Sequence, residues 1–377
     1  MVSSPILALA ARVLRAADRE HRADAVLRQE LKAQRRLPPE QAGQVSRAVF
    51  SYYRWQGWLA ELKSIDERIE RALSLSERFA RDPMSFSDAE LGARAIPAWL
   101  ETEMEITPAW LRALQAEPRL WLRARLGQGR ELARKLGDCR SFGDGALAEI
   151  LEYQGNWDLF LTPEFHAGEF ELQDISSQAV GLLCGASPGE TWWDACSGEG
   201  GKTMHLSDLM CNRGLIWASD RAEWRLQRLK RRAARARAFN YRSAPWDGGV
   251  KLPIRTRFDG VLLDAPCSGI GTWHRNPHAR WTTTPQDLVE LSSLQLQLLA
   301  NAAAAVKPGG KLIYAVCTLA RLETTEIEAA FREQLPEFEP LEMRNPLTSK
   351  TAEAGEIFLL PQEFGGNGMY VAAWRRR

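Results

Sequence analysis

Ile6, Leu7, Ala10, Val13 and Leu14 recur at intervals of three and four, which places them on one face of a helix. Leu27 and Leu31 continue the spacing, as do Val45, Val49, Phe50 and Tyr53, with a break at Pro38-Pro39. The pattern predicts a small helical bundle over residues 1–80. Pro83, Gly92, Pro97 and Pro108 punctuate a connecting stretch, 81–118, where Trp99, Leu100, Trp110 and Leu111 still need something to pack against. From 119 to 170 the pattern is mixed and short-ranged, as in a small α+β module.

From residue 171 to 377 the order changes to apolar run, glycine turn and helix, repeated. Strands are predicted at 191–195, 214–219, 258–264 and 311–317, with a weaker one at 241–246. A helix is expected over 285–306, followed by a turn at Pro308-Gly309-Gly310. Strands alternating with helices predict an α/β fold with a mainly parallel sheet covered on both faces.

Composition adds little until its distribution is considered. A chain of 377 residues with 45% hydrophobic positions can form two or three cored domains. The first apolar stretch, 5–11, is short and runs into Arg12, Arg15 and Arg19, so no membrane span and a cytoplasmic location are expected. The formal charge of +1 argues against an obligatory polyanion partner, yet eight basic residues and one acid lie between Arg221 and Arg237, and the chain ends Arg375-Arg376-Arg377. A solvated helix face explains such a run, and phosphate contact becomes credible only beside a site that handles nucleic acid. The six cysteines form no Cys-x-x-Cys pair, and no histidine cluster completes a metal site, so reduced thiols and no metal are expected.

Candidate chemistry sits at predicted strand ends, where ligands bind in α/β sheets. Cys267 closes one strand in Asp264-Ala265-Pro266-Cys267-Ser268-Gly269, and Cys317 closes another in Ile313-Tyr314-Ala315-Val316-Cys317-Thr318. Two such thiols in one sheet suggest a nucleophile and a second group that finishes its reaction. Upstream, the loop Cys196-Ser197-Gly198-Glu199-Gly200-Gly201 lets backbone amides approach a ligand, while Asp220 and Asp247 close the next two strands with carboxylates suited to ribose or adenine. The loop lacks Gly-x-Gly-x-x-Gly. It also fails as a phosphate loop, because Cys196 stands where that motif needs glycine.

Asp194-Ala195-Cys196-Ser197-Gly198-Glu199-Gly200-Gly201-Lys202-Thr203 resembles the S-adenosylmethionine loop of the RNA cytosine-5 methyltransferases, the RsmB and NSUN group. Asp264 to Gly271, with Arg275, Pro277 and Trp281, resembles their Pro-Cys motif, and Ala315-Val316-Cys317-Thr318 their Thr-Cys motif. Gln173-Asp174, residues 176–178 and Gly368-Met369-Tyr370 extend the likeness over roughly 95–377. Residues 22–27 and 47–55 are similar to the NusB-like helical domain fused to bacterial RsmB-type enzymes. Four positions depart from the pattern: Val316 for threonine, His274 for arginine, Arg125 for asparagine and Glu199 for proline.

The resemblance implies a Rossmann-like methyltransferase domain at 171–377, an RRM-like module at 119–170, a linker at 81–118 and a NusB-like RNA-binding domain at 1–80. It implies S-adenosylmethionine bound by Asp194, Ala195, Cys196, Ser197, Gly198, Glu199, Gly200, Gly201, Lys202, Asp220, Arg225, Asp247, Asp264 and Pro266. Cys317 would add to carbon 6 of cytosine, Asp264 would hydrogen-bond the base as an acid of raised pKa with Lys202 assisting, and Cys267 would help release the product. An ordinary loop ion pair is the bland alternative for Lys202 and Asp264. The implied substrate is small-subunit (16S) ribosomal RNA, with another ribosomal site or tRNA as alternatives, and the implied protein is a monomer. A DNA cytosine-5 enzyme would use the Pro-Cys thiol as nucleophile and would not need Cys317. A non-catalytic RNA-binding assembly factor would have no use for the four site residues. Cys139, Cys184 and Cys211 are expected as buried small hydrophobes and Cys196 as a packing residue. His274 and His278 are given no role, and Trp273 and Trp281 are either core residues or stacking platforms for a flipped base.

Overall fold

Two units divide the chain, Met1–Pro118 with Gly269–Asp287, and Arg119–Ser268 with Leu288–Arg377. The structure is a computed structural model that describes residues 4–34, 37–352 and 355–377.

The first unit is helical. Helices Ser4–Ala16, Ala23–Ala33, Pro39–Arg54 and Ile65–Arg81 follow the predicted periodicity. Pro39 starts its helix where a missing amide costs nothing, and Ser64 with Glu67 closes a capping box on the fourth. Ile6, Leu9, Val13, Leu27, Val45, Val49 and Ile69 form the core. Residues 81–118, expected as a linker, instead carry helices Asp88–Arg94 and Pro108–Gln115 and bury Leu91, Leu100, Trp110 and Leu111 in the same unit. Apolar side chains at helical spacing let that stretch fold onto its neighbours despite its prolines.

Gly269–Asp287, read from sequence as catalytic-domain chain, also belongs to this first unit. The fully buried Arg280 guanidinium explains its attachment: it donates to the carbonyls of Arg54, Ala95 and Leu114 at 2.9–3.2 Å. Trp281 Nε1 donates to Tyr53 O at 2.7 Å, and Trp273 is buried edge-on to Trp99. Both tryptophans are therefore packing residues.

The second unit begins with a four-stranded antiparallel sheet. Its strands are β1 (Leu120–Ala124), β2 (Cys139–Ser141), β3 (Ile150–Tyr153) and β4 (Phe170–Leu172), ordered β2-β3-β1-β4. Then come β5 (Thr191–Asp194), β6 (Leu215–Ala218), β7 (Tyr241–Ser243), β8 (Phe258–Asp264), β9 (Val306–Val316) and β10 (Phe338–Pro340). A small pair, β11 (Met343–Arg344) and β12 (Thr351–Ala352), precedes β13 (Glu356–Leu359) and β14 (Met369–Arg376). The large sheet runs β10-β14-β9-β8-β5-β6-β7, parallel from β9 to β7, and β13 shares the outer edge of antiparallel β14 with β10.

The chain steps outward from β5 to β6 and β7, then returns to the other side of β5 as β8. This reversal opens a crevice at the carboxyl ends of β5 and β8, the place where such sheets bind ligands. Burial on both faces explains the near-continuous apolar strands: Trp193 faces one core cluster and Trp192 the other. β9 starts earlier than predicted, and the expected turn at Pro308-Gly309-Gly310 lies in its register shift against β8, between Phe258 and Gly260. The expected all-α, α+β and Rossmann-like α/β parts are all present.

Candidate active site at the strand ends

After Asp194 the chain turns through residues 195–200 into the helix Gly201–Leu209. Gly198 (φ 54°) and Gly200 (φ 87°) hold left-handed backbone that favours glycine. A Cβ on Gly200 would meet Leu229 Cγ at 2.5 Å, whereas one on Gly198 would project into open space. The loop is pinned across the crevice: Ser197 N donates to Ser219 O at 2.8 Å, and Gly198 N to Asp220 Oδ2 at 3.1 Å. Asp220 also accepts from Ala222 N at 2.8 Å, which fixes its carboxylate beside the loop. Asp247 is exposed and accepts from Gly249 N, and Arg225 Nη1 lies 3.5 Å from Asp220 Oδ2.

Asp194 is fully buried. Thr203 donates to its Oδ2 at 2.6 Å, but Oδ1 has no hydrogen-bond partner among the described residues. Burial raises its carboxyl to about 7; the Thr203 bond opposes the rise, and nearby Asp264 adds to it.

Lys202 points from the first turn of that helix to the last residue of β8, where its Nζ donates to Asp264 Oδ2 at 2.5 Å. Burial alone would lower the ammonium, but the charge and hydrogen bond of Asp264, with Asp194, outweigh it and the net shift is upward. Lys202 therefore stays protonated. Pairing of β8 with β9 brings the two thiols together, Cys267 Sγ lying 3.3 Å from Cys317 Sγ.

Residues 182–375 match the family described as 16S rRNA methyltransferase RsmB/F. The chain belongs to the RsmB/F family. It is 37% identical over 218 residues to a probable ribosomal RNA small subunit methyltransferase B from Synechocystis, covering 56% of this chain and 48% of that protein. The chain thus spans about half the length of the curated relatives it matches. Among solved structures, PH0851 aligns over all of both chains (TM-score 0.76, 21% identity) and shares the fold. A methyltransferase homolog protein from Pyrococcus horikoshii aligns over 72% of this chain and 90% of its own (TM-score 0.61, 26% identity).

S-adenosylmethionine, the methyl donor of this family, fits the loop. Gly198 leaves space that a side chain would fill, and the unpaired Asp194 Oδ1 and the fixed Asp220 carboxylate supply acceptors. Glu199, the departure from proline, accepts from Arg228 at 2.6 Å and so braces the loop against the basic helix Glu223–Arg235. Cys196 packs against the core under the sheet, and burial pushes its thiol and that of Cys184 upward.

Much of the basic charge is engaged internally. Arg232 and Arg235 both pair with buried Glu171, at 2.9 and 2.5 Å. Arg375 and Arg376 donate to the carbonyls of Gly309 and Val306, and Arg377 pairs with Glu339. The terminal run is thus a set of strand-edge contacts. Arg125 is held by Asp208 at 2.5 Å, and His274 is buried, with its imidazole lowered to about 3 by burial and nearby arginines.

Sequence reading missed a group behind the thiols. Glu323 is fully buried and accepts from Ser268 N and from Gln295 Nε2, each at 2.9 Å, as well as from Ser268 Oγ. Thr318 Oγ1 lies 3.0 Å from Ser268 Oγ, and Gln295 also donates to Pro266 O at 2.9 Å. An acid in a short turn ahead of an amphipathic helix gives no sign in sequence that it points inward.

Proposed function

We propose that this protein is an S-adenosylmethionine-dependent methyltransferase that forms 5-methylcytosine in small-subunit ribosomal RNA through a covalent Cys317 intermediate. The observation that carries the reading is the 3.3 Å approach of Cys267 and Cys317 at the ends of adjacent parallel strands, beside the Lys202–Asp264 pair. The names of the matched relatives support the RNA class.

Carbon 5 of cytosine is too weak a nucleophile to take a methyl cation equivalent unaided. Addition of the Cys317 thiolate to carbon 6 forms an S–C6 bond and moves the ring electrons towards carbon 5 and N3. Asp264, oriented by the Lys202 ammonium, accepts a hydrogen bond from the amino group of the base, and Lys202 offsets the negative charge that develops at N3. Bound S-adenosylmethionine supplies an electrophilic methyl group. Carbon 5 would take that methyl as the donor leaves as a neutral thioether; the C5 proton then passes to the Cys267 sulfur, acting as a thiolate, the C5–C6 double bond reforms and the S–C6 bond breaks, returning the Cys317 thiolate. Release is the step assigned to Cys267.

The test uses purified variants with S-adenosylmethionine and small-subunit RNA. Cys267→Ala is expected to accumulate a protein–RNA adduct that survives denaturing gels, while Cys317→Ala forms none and transfers no methyl. Methylation by Cys317→Ala would overturn the assignment. Bisulfite mapping of the RNA product checks the position of the methyl group.

A further inference from the structure

A carboxylate is a costly choice for the space behind two strand ends, since a buried charge needs every lone pair matched by a donor. Glu323 occupies such a space, 0% exposed, in a short turn that precedes the helix Thr325–Gln334. Its partners are neutral donors. Burial raises its carboxyl, while the bonds from Ser268 and Gln295 hold it down in part.

The positions of those partners give the group its meaning. Ser268 follows Cys267, and Thr318 follows Cys317. Glu323 receives both the amide and the hydroxyl of Ser268, and the Ser268 hydroxyl in turn meets Thr318 Oγ1 at 3.0 Å. On the other side of Cys267, Gln295 holds the Pro266 carbonyl at 2.9 Å and also donates to Glu323 at 2.9 Å. Tyr314, on β9, places its hydroxyl 3.0 Å from Gln295 Oε1 and 2.9 Å from the Glu323 carbonyl. Cys267 is thus bracketed, and both brackets end on Glu323.

We propose that Glu323 is a positioning residue that holds the Cys267 loop in register with the Cys317 strand end, so that the second thiol reaches the adduct formed on the first. The proposal rests on the catalytic reading above and deepens it. Addition by Cys317 needs that strand end, anchored by β-sheet pairing on both edges, and the Lys202–Asp264 pair, none of which hangs on the Cys267 loop. Release needs the Cys267 loop in place as well, and that loop depends on Glu323.

The experiment measures adduct formation and adduct decay separately, under single-turnover conditions with S-adenosylmethionine and RNA, and the thermal midpoint of each variant. For Glu323→Ala, and more weakly for Ser268→Ala, decay is expected to slow by roughly ten- to a hundredfold, the loss of one or two bonds to a charged acceptor. Adduct formation should stay near the native rate per folded molecule. Glu323→Gln keeps the shape and one acceptor oxygen and should restore most of the decay rate. Ser268→Ala removes a single hydroxyl and guards against a Glu323→Ala variant that does not fold. Equal slowing of formation and decay, or native decay in both variants, would overturn the proposal. Cys267→Ala, run in parallel, separates the two ideas: if it too fails to trap an adduct, the catalytic reading fails and the positioning role falls with it.

Discussion

The Lys202 ammonium donates to Asp264 Oδ2 at 2.5 Å, joining the helix after the glycine loop to the end of β8. Lys202 is 8% exposed, so the carboxylate is what keeps its charge tolerable. The glycine loop and the Pro-Cys loop are thereby linked through this pair.

Asp264→Asn is expected to change the shape of the pH–rate profile as well as its height. In the native protein Lys202 is raised above 10.5, so its stabilising contribution is fully present below that pH and is lost only as pH rises through the folded value. Without Asp264 the dominant remaining influence is burial, which lowers the ammonium. Relative to the native protein, methyl transfer by the variant should then fall towards the alkaline side of the range from about pH 6 to pH 10. Initial rates with a radiolabelled methyl donor check this; a native-shaped profile, merely scaled down, would count against it.

Asp194 gives a pH effect on stability. Its folded value of about 7 lies above the ordinary 3.8, so its contribution is fully present below about 3.8 and is lost as pH rises through about 7. The thermal midpoint, measured without cofactor, should therefore carry a downward component from mildly acid to neutral pH. Asp194→Asn keeps an acceptor for Thr203 and should flatten that component.

Features written in local sequence were legible: the apolar strand at Phe258–Asp264, the glycines after Asp194, and two thiols at ends of one sheet. Features that depend on a distant partner were not. Arg377 looks like a free tail charge until β14 sets it beside Glu339, and Glu323 looks solvated until β8 and β9 bring Ser268 and Thr318 to it. Prolines between 83 and 108 suggested a linker because they interrupt helices, but Leu91, Leu100 and Trp110 supply enough apolar surface to pack the short helices between them.

Glu171 lies one residue into the expected catalytic region yet belongs to β4 of the small sheet, where it is 3% exposed and clamps Arg232 and Arg235 of the basic helix. Glu171→Gln should destabilise the protein by about 2 kcal/mol, less than a fully buried pair would lose because both arginines can turn to water. Urea unfolding of the two proteins measures it. A difference near zero would mean the arginines already spend their charge elsewhere.

Gly260 shows what the central sheet demands of its sequence. It pairs with Trp192 across β5 and β8, and a Cβ there would lie 2.4 Å from the Trp192 ring. The indole cannot easily swing aside, because its Nε1 donates to Glu190 Oε2 at 2.8 Å and it is fully buried in the core. Gly260→Ala should therefore cost about 3 kcal/mol, the upper part of the overpacking range. Trp192→Leu opens a cavity and is destabilising alone. In the double variant the new methyl enters space the ring has left, so the combined loss should be smaller than the sum of the two single losses. Strict additivity in urea unfolding would show that something other than the ring limits residue size at position 260.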